Sequence, residues 1–397
     1  MKLLYFADTR FPIERANGVQ TMATCHALAA RGHDVTLVVR PDTHTPARDP
    51  FVFYDLPPVD GFHLHHVTTA TGPRTRRICF LLASMKFVAS HADAIVYTRD
   101  LGLASFLLQI PTARRPRVVY ESHGVSVTVS EEMPRLLGNP GLKTSHRKRL
   151  RLDRQEQRVW RRAPAYVTIT RALEDELTKR YGHRVNVFVV PDGAREIAPV
   201  VPTPLQLPPS SDGMPVAGYA GHLYPWKGVD VFVRALAIAR SVRGLIVGGH
   251  PGEADRERVE TLARELGVTP RLEITGLVPP GDVERHLRTA TMLVLPNSMS
   301  AISDRYTSPL KLFEYLRLGR PIIASNLAAI REILTDNKTA VLVPPDDPQA
   351  LAEALERVGH DLRYAAALGA NARELAPEYT WARRAERLEA ALETASQ

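Results

Sequence analysis

Gly218-Tyr219-Ala220-Gly221-His222-Leu223-Tyr224-Pro225-Trp226-Lys227-Gly228 leads into a run that reaches Arg240. Val216 to Ala220 reads as a buried strand, and Gly221 to Trp226 as a loop. Val229, Phe232, Val233 and Leu236 then recur at i, i+3, i+4 and i+7, the period of a helix with one apolar face. A lysine therefore stands where a strand gives way to a helix. Free N–H groups and partial positive charge at a helix start, joined by Lys227, suit an anion such as a phosphate. A plain strand–helix turn with a solvated lysine fits the same residues.

A second turn of the same kind favours the anion: Tyr306-Thr307-Ser308-Pro309-Leu310-Lys311-Leu312-Phe313-Glu314-Tyr315. Ser308 suits an N-cap and Pro309 the first helical position. Lys311 then falls in the first turn, where a cation opposes the helix dipole, and a diphosphate would offset it. Glu314 lies roughly 9 Å along the axis from the helix start, placed to accept ribose hydroxyls. An ordinary capped helix with a surface Lys311–Glu314 pair at i, i+3 is the alternative.

The 397 residues suggest two domains. A composition of 44% hydrophobic and 24% charged residues is that of a globular protein. Cys25 and Cys79 make no metal-ligand spacing and suggest a reducing compartment. The N-terminus reaches Asp8 too early for a signal peptide. Ile78–Met85, the most apolar helix-like run, ends at Lys86, short of the ~20 residues a membrane span needs. The expected location is the cytoplasm. A net charge of +8 favours acidic partners: nucleotides, phosphate-bearing acceptors or an anionic membrane face.

The order of elements is α/β throughout. Lys2–Ala7 is a strand, and a loop follows to Gly18. A helix runs from Val19 to Gly32, and Asp34–Val39 is the next strand. No GxGxxG marks this crossover, which counts against a dehydrogenase. Strands continue at His63–Val67, Ala94–Thr98, Val118–Tyr120, Tyr166–Thr170 and Val187–Val190. Residues 198–215, rich in proline, read as a linker. Strands resume at Val216–Ala220, Gly244–Gly248, Leu272–Thr275, Met292–Pro296, Pro321–Ser325 and Thr339–Val343. Alternation of this kind means parallel sheets with helices on both faces. Trp381, Ala385, Leu388 and Leu392 share one face of a last helix. Arg147–Arg162 is strongly basic, with Asp153 and Glu156 partly offsetting the charge. It reads either as a solvated helix face or as a helix lying on an anionic membrane.

Gly221-x5-Lys227-Gly228, Ser308-Pro-Leu-Lys-Leu-Phe-Glu314-Tyr, Gly319-x-Pro321-Ile-Ile-Ala-Ser, Val190-Pro-Asp192-Gly193 and Gly276-Leu-Val-Pro together resemble the family 4 glycosyltransferases of GT-B fold, in a Ser-Pro-Leu-Lys sub-branch. The resemblance implies two Rossmann-like domains facing across a cleft: 1–197, joined by the returning helix 378–397, for the acceptor, and 216–377 for the donor. It implies retaining, metal-independent transfer from a nucleotide-diphosphate sugar, with uridine the expected base and guanosine second.

Residue by residue, the resemblance makes Lys227 the diphosphate lysine and Glu314 the ribose-binding glutamate. Thr307, Ser308, Pro309 and Leu310, with Lys311, match the phosphate-binding turn. Gly18 and Gly221 match glycines close to the phosphates, and Leu277 and Val278 the segment that reads the base. His123 matches a histidine beside the donor sugar that helps organise the transition state. The chain departs from the pattern twice. His222 stands where an arginine usually partners the lysine. Tyr306 stands where a glutamate usually meets the sugar.

The expected catalysis is stabilisation of the departing diphosphate by Lys227, Lys311 and the helix start at Ser308. No metal or other cofactor is expected, and no nucleic-acid partner. The acceptor is a glycan, a lipid-linked sugar or a small molecule. Residues 143–162 leave open a peripheral contact with the inner membrane face. The competing readings are a nucleotide-sugar epimerase of the same fold and a catalytically degenerate nucleotide-binding protein.

Overall fold

The computed structural model describes residues 1–69, 72–139, 141–196, 213–249 and 254–397. Most of the proline-rich linker, 198–212, lies outside them. Contacts divide the chain into two compact units. The first comprises Met1–Val127, Thr144–Asp192 and Trp381–Gln397, and the second Thr128–Lys143 and Gly193–Thr380. The short segment 128–143 thus groups with the second unit.

The first unit holds a seven-stranded parallel sheet. Its strands are β1 (Lys2–Arg10), β2 (Asp34–Arg40), β3 (Phe62–His66), β4 (Ile95–Thr98), β5 (Arg117–Ser122), β6 (Ala165–Thr168) and β7 (Val187–Val189), in the order β3-β2-β1-β4-β5-β6-β7. The second unit holds β8 (Val216–Ala220), β9 (Arg243–Val247), β10 (Leu272–Ile274), β11 (Met292–Leu295), β12 (Ile322–Ser325) and β13 (Val341–Val343), in the order β10-β9-β8-β11-β12-β13. Each strand expected from sequence has a counterpart. In both sheets the order reverses beside the first strand of the unit. Ligands in such folds bind outside the carboxyl ends of the strands at that reversal. The two reversals fall between β1 and β4 and between β8 and β11.

The runs are apolar because both faces of each sheet are covered. In the second unit alternate residues serve two clusters, as a strand's period of two requires. Met292 and Val294 pack with Phe232, Val233, Leu236, Leu351 and Leu355. Leu293 and Leu295 pack with Leu312, Phe313 and Leu316 of the helix Leu310–Leu318.

Three local expectations are corrected. β1 runs on to Arg10, and Gly18 lies inside the helix Ala16–Ala30 rather than ending a loop. A Cβ at Gly18 would stand 2.4 Å from the Tyr54 hydroxyl and 2.5 Å from Ile13 Cγ2, so packing alone requires glycine there. Glu156 does not offset surface charge on the helix His146–Arg162. It is fully buried and accepts from Ser126 N and Oγ, both at 3.0 Å, and from the Tyr181 hydroxyl at 3.3 Å. Arg158 also turns inward, donating to Ser105 Oγ at 2.7 Å, while Arg147, Lys148, Arg151 and Arg154 stay exposed. No helix among the described residues is long and apolar enough to cross a membrane.

Candidate functional site

The second unit gathers most of the residues singled out from sequence at the β8/β11 reversal. β8 ends at Ala220, and Gly221 follows with φ +126°, its N–H donating to Val247 O at 2.9 Å. Pro225–Lys227 form one 3-10 turn, and Gly228 (φ +73°) opens the helix Val229–Ile238. A Cβ at Gly228 would lie 1.6 Å from Pro296 O, so only glycine lets this turn sit against the end of β11. The rings of His222, Tyr224 and Trp226 stack in sequence, at 5.0 and 6.4 Å between centroids. Lys227 Nζ rests 3.7 Å above the Trp226 ring.

The helix Leu310–Leu318 brings the second lysine to the same place. Its Tyr315 hydroxyl accepts from Ala220 N at 3.0 Å, tying the helix to the end of β8. Lys311 Nζ lies 3.8 Å over the Tyr219 ring and 3.0 Å from where a Gly221 Cβ would be. The helix starts one residue later than expected. Pro309, with ψ 118°, is the capping residue, and no side chain caps the start. Leu312 N donates to Pro309 O at 2.8 Å, and N–H groups at a helix start that find no such partner take water or a ligand. Thr307, Ser308 and Pro309 are buried ahead of it, and Tyr306 is buried as the residue closing the helix Ala301–Arg305.

The electrostatics here are unbalanced. Lys311 Nζ is buried with no hydrogen-bond partner. Among the described residues neither Lys227 nor Lys311 has an ion pair, and the surface Lys311–Glu314 bridge does not form. Burial lowers Lys227 to about 8. Burial, and then the charge of Lys227, push Lys311 well below the usual lysine range, against the opposing effect of Glu314. Burial raises Glu314, against Arg317, Lys311 and Arg195. The Lys311 ammonium is thus held out of water without compensation, beside the half-buried Lys227 and Glu314.

Sequence reading missed one neighbour. Asn297, two residues past β11, is 1% exposed, and neither its amide oxygen nor its nitrogen has a partner. An asparagine just past a strand is a frequent loop residue, so nothing in the sequence marks it. Leu277 is exposed beyond the end of β10, and Val278 is half-buried.

Gly18 and His123 belong to the first unit. His123 follows β5, and its Nε2 pairs with the fully buried Glu121. Glu121 is held in turn by Arg384 of the last helix, Trp381–Ser396. Among the described residues no group of three or more His, Cys, Asp or Glu is arranged to hold a metal.

Residues 17–193 match the family model described as Glycosyl transferase 4-like domain, and residues 214–361 the one described as Glycosyl transferases group 1. The D-inositol 3-phosphate glycosyltransferase of Corynebacterium diphtheriae is 29% identical over 181 residues, covering 44% of this chain and 41% of that protein. The chain spans about half the length of the curated relatives it matches. The structure is similar to that of sucrose-phosphate synthase from Thermosynechococcus elongatus, with TM-score 0.76, 18% identity and coverage of 99% and 98% of the two chains. It is also similar to that of Anabaena HepE in complex with UDP-glucose, with TM-score 0.71, 15% identity and coverage of 99% and 100%. Two glycosyltransferase family domains on two parallel-sheet α/β units, in a fold shared with these structures, place the chain among the glycosyltransferases of GT-B fold.

Proposed function

We propose that the protein transfers a sugar, with retention of configuration and without a metal ion, from a UDP-sugar to an acceptor hydroxyl. The observation that carries this reading is the Lys311 ammonium, buried with no hydrogen-bond partner and facing the charge of Lys227, at a start of Leu310–Leu318 that no side chain caps. A diphosphate supplies the missing charge. Its negative charge grows as the anomeric C–O bond breaks, so cations fixed in advance stabilise the transition state more than the ground state. Thr307, Ser308, Pro309 and Leu310 would approach the phosphates through their backbone, and Glu314 would accept ribose hydroxyls. Leu277 and Val278 would lie along the base, with Gly221 and His222 beside the diphosphate. His123 and Tyr306 are assigned to the sugar side, and Gly18 to the approach to the phosphates. The acceptor hydroxyl attacks from the face the diphosphate leaves. Uridine is supported by the UDP-glucose complex of HepE. Acceptor assays would begin with D-inositol 3-phosphate, which names the matched relatives.

Thermal shift with UDP, GDP, ADP, TDP and CDP, in EDTA, tests the donor site. UDP at about 100 times its dissociation constant should stabilise by roughly 2.7 kcal/mol, and Lys227→Ala should reduce the shift. No response to any nucleotide overturns the reading. Protonation gives a second expected result. Burial lowers Lys227 to about 8 and Lys311 well below the usual lysine range, and a bound diphosphate raises both. Binding therefore takes up protons, and affinity falls as pH rises through about 8. Calorimetry in buffers of different ionisation enthalpy reads the uptake directly; proton release would contradict it.

The exposed Arg147, Lys148, Arg151 and Arg154 are proposed to meet an anionic surface. Phosphatidylglycerol vesicles should retain the protein at low salt, and changing all four residues to Gln should release it. Equal retention of that variant removes the contact.

A further inference from the structure

Glu121, the last residue but one of β5, is a fully buried carboxylate with four donors around it. Oε1 accepts from Gln20 Nε2 at 2.9 Å and faces His123 Nε2. Oε2 accepts from Arg384 Nη2 at 2.6 Å and from the Tyr97 hydroxyl. A carboxylate has about four lone-pair directions and, once ionised, nothing to donate. Burial opposes the charge on Glu121, but Arg384, His123 and Arg99 outweigh it and hold the carboxyl below its ordinary range. His123 Nε2 must therefore be the donor and carry a hydrogen.

The rest of the surroundings decide whether the ring is also charged. Arg99 donates to Gln20 Oε1 at 2.6 Å, so a cation stands behind Gln20. Arg384 lies 3.6 Å from Asp192 and also donates to Val190 O at 2.8 Å, Pro191 O at 2.9 Å and Thr24 Oγ1 at 3.1 Å. With Arg384 already facing Glu121, a second positive charge on the imidazole gains little. Burial and Arg99 lower His123 to about 4, against Glu121. With Nε2 facing the ionised Glu121, the hydrogen of a neutral ring sits on Nε2, and Nδ1 has no partner among the described residues.

We propose that Glu121 is a positioning residue that fixes His123 in the Nε2–H tautomer, so that the histidine meets its substrate as a hydrogen-bond acceptor through Nδ1. The group it takes is then a hydroxyl, which can donate, rather than a carbonyl, carboxylate or phosphate oxygen, which cannot. Arg384 serves the same end one step removed, by keeping Glu121 ionised. The inference rests on the reading above that His123 faces a reacting sugar, but its test does not pass through nucleotide binding.

Nitrogen-15 labelling of the histidines in the full chain reports the tautomer, with His123 assigned by comparison with His123→Gln. The expected spectrum shows His123 protonated on Nε2 alone, unchanged over roughly pH 5.5 to 8, where an ordinary histidine titrates. Protonation on Nδ1, or titration within that range, overturns the proposal. In Glu121→Gln the side-chain amide can donate to Nε2, and the Nε2–H preference should be lost. Turnover should fall while the UDP-induced thermal shift is kept. A folded Glu121→Gln protein that keeps the wild-type tautomer also overturns it. If that variant does not fold, the wild-type spectrum still decides. Absence of any UDP shift with the Nε2–H tautomer intact would remove the proposed donor site and leave the tautomer assignment standing.

Discussion

Arg384→Met is expected to destabilise the protein by about 3–5 kcal/mol, the range for removing one partner of a buried ion pair. The guanidinium is fully buried, and its contacts reach Glu121, Thr24 and the carbonyls of Val190 and Pro191. Methionine fills most of the volume but leaves Glu121 as an unbalanced buried charge. The loss therefore comes mainly from the group left behind, and a second change shows this. Glu121→Gln in the Arg384→Met background should recover part of the stability, because replacing both partners costs less than removing one. Chemical denaturation of the single and double variants measures the coupling. Additive losses would mean that the arginine acts by packing alone. Apart from Gly18, the residues assigned to the nucleotide lie in the other unit. The UDP response of the folded single variant should therefore persist, which separates lost stability from a lost donor site.

The same arginine shows what the sequence could and could not reveal. Thirteen strands were legible because strands buried on both faces are near-continuous apolar runs, and turn residues break them. The glycines at 221 and 228 and the lysine at 227 were legible because a strand–turn–helix junction constrains residue type. Arg384 was not singled out, although it falls three residues after Trp381 and four before Leu388, on the helix face read as apolar. Its position on that face points inward while its charge points outward, so residue type alone does not mark it. Glu156 was misread for the same reason, on a helix crowded with arginines. Glu121 follows the buried run Val118–Tyr120 two residues before His123, and a carboxylate at that place was the available signal. The start at Ser308 was misplaced because Ser-Pro favours a cap and a first helical position. The backbone of Pro309 is extended instead, and one dihedral decides it. Asn297 had no signal, since its burial comes from the Gly228 turn, which is distant in sequence.

Lys311→Met should act in opposite directions on stability and on catalysis, and that opposition is the sharpest check on the donor site. In the free protein the ammonium is buried over Tyr219 with no hydrogen-bond partner and faces the charge of Lys227. Such a group destabilises the fold that holds it. Replacing it with an apolar side chain of similar length should raise the melting temperature of the free protein. The same change removes one of the cations assigned to the leaving diphosphate. Loss of one preorganised stabilising group costs about 100- to 1000-fold in kcat, read as UDP release from the UDP-sugar. Lys227→Ala should cost a similar factor. The double variant should lose less than the product of the two, because both lysines act on one anion. A structural lysine would give the reverse pattern, with a lower melting temperature and an unchanged UDP response. That result would remove Lys311 from the site and leave Lys227 as the cation for the diphosphate. A more stable free protein with little turnover would mean that the fold tolerates an unfavourable charge here because the ligand needs it.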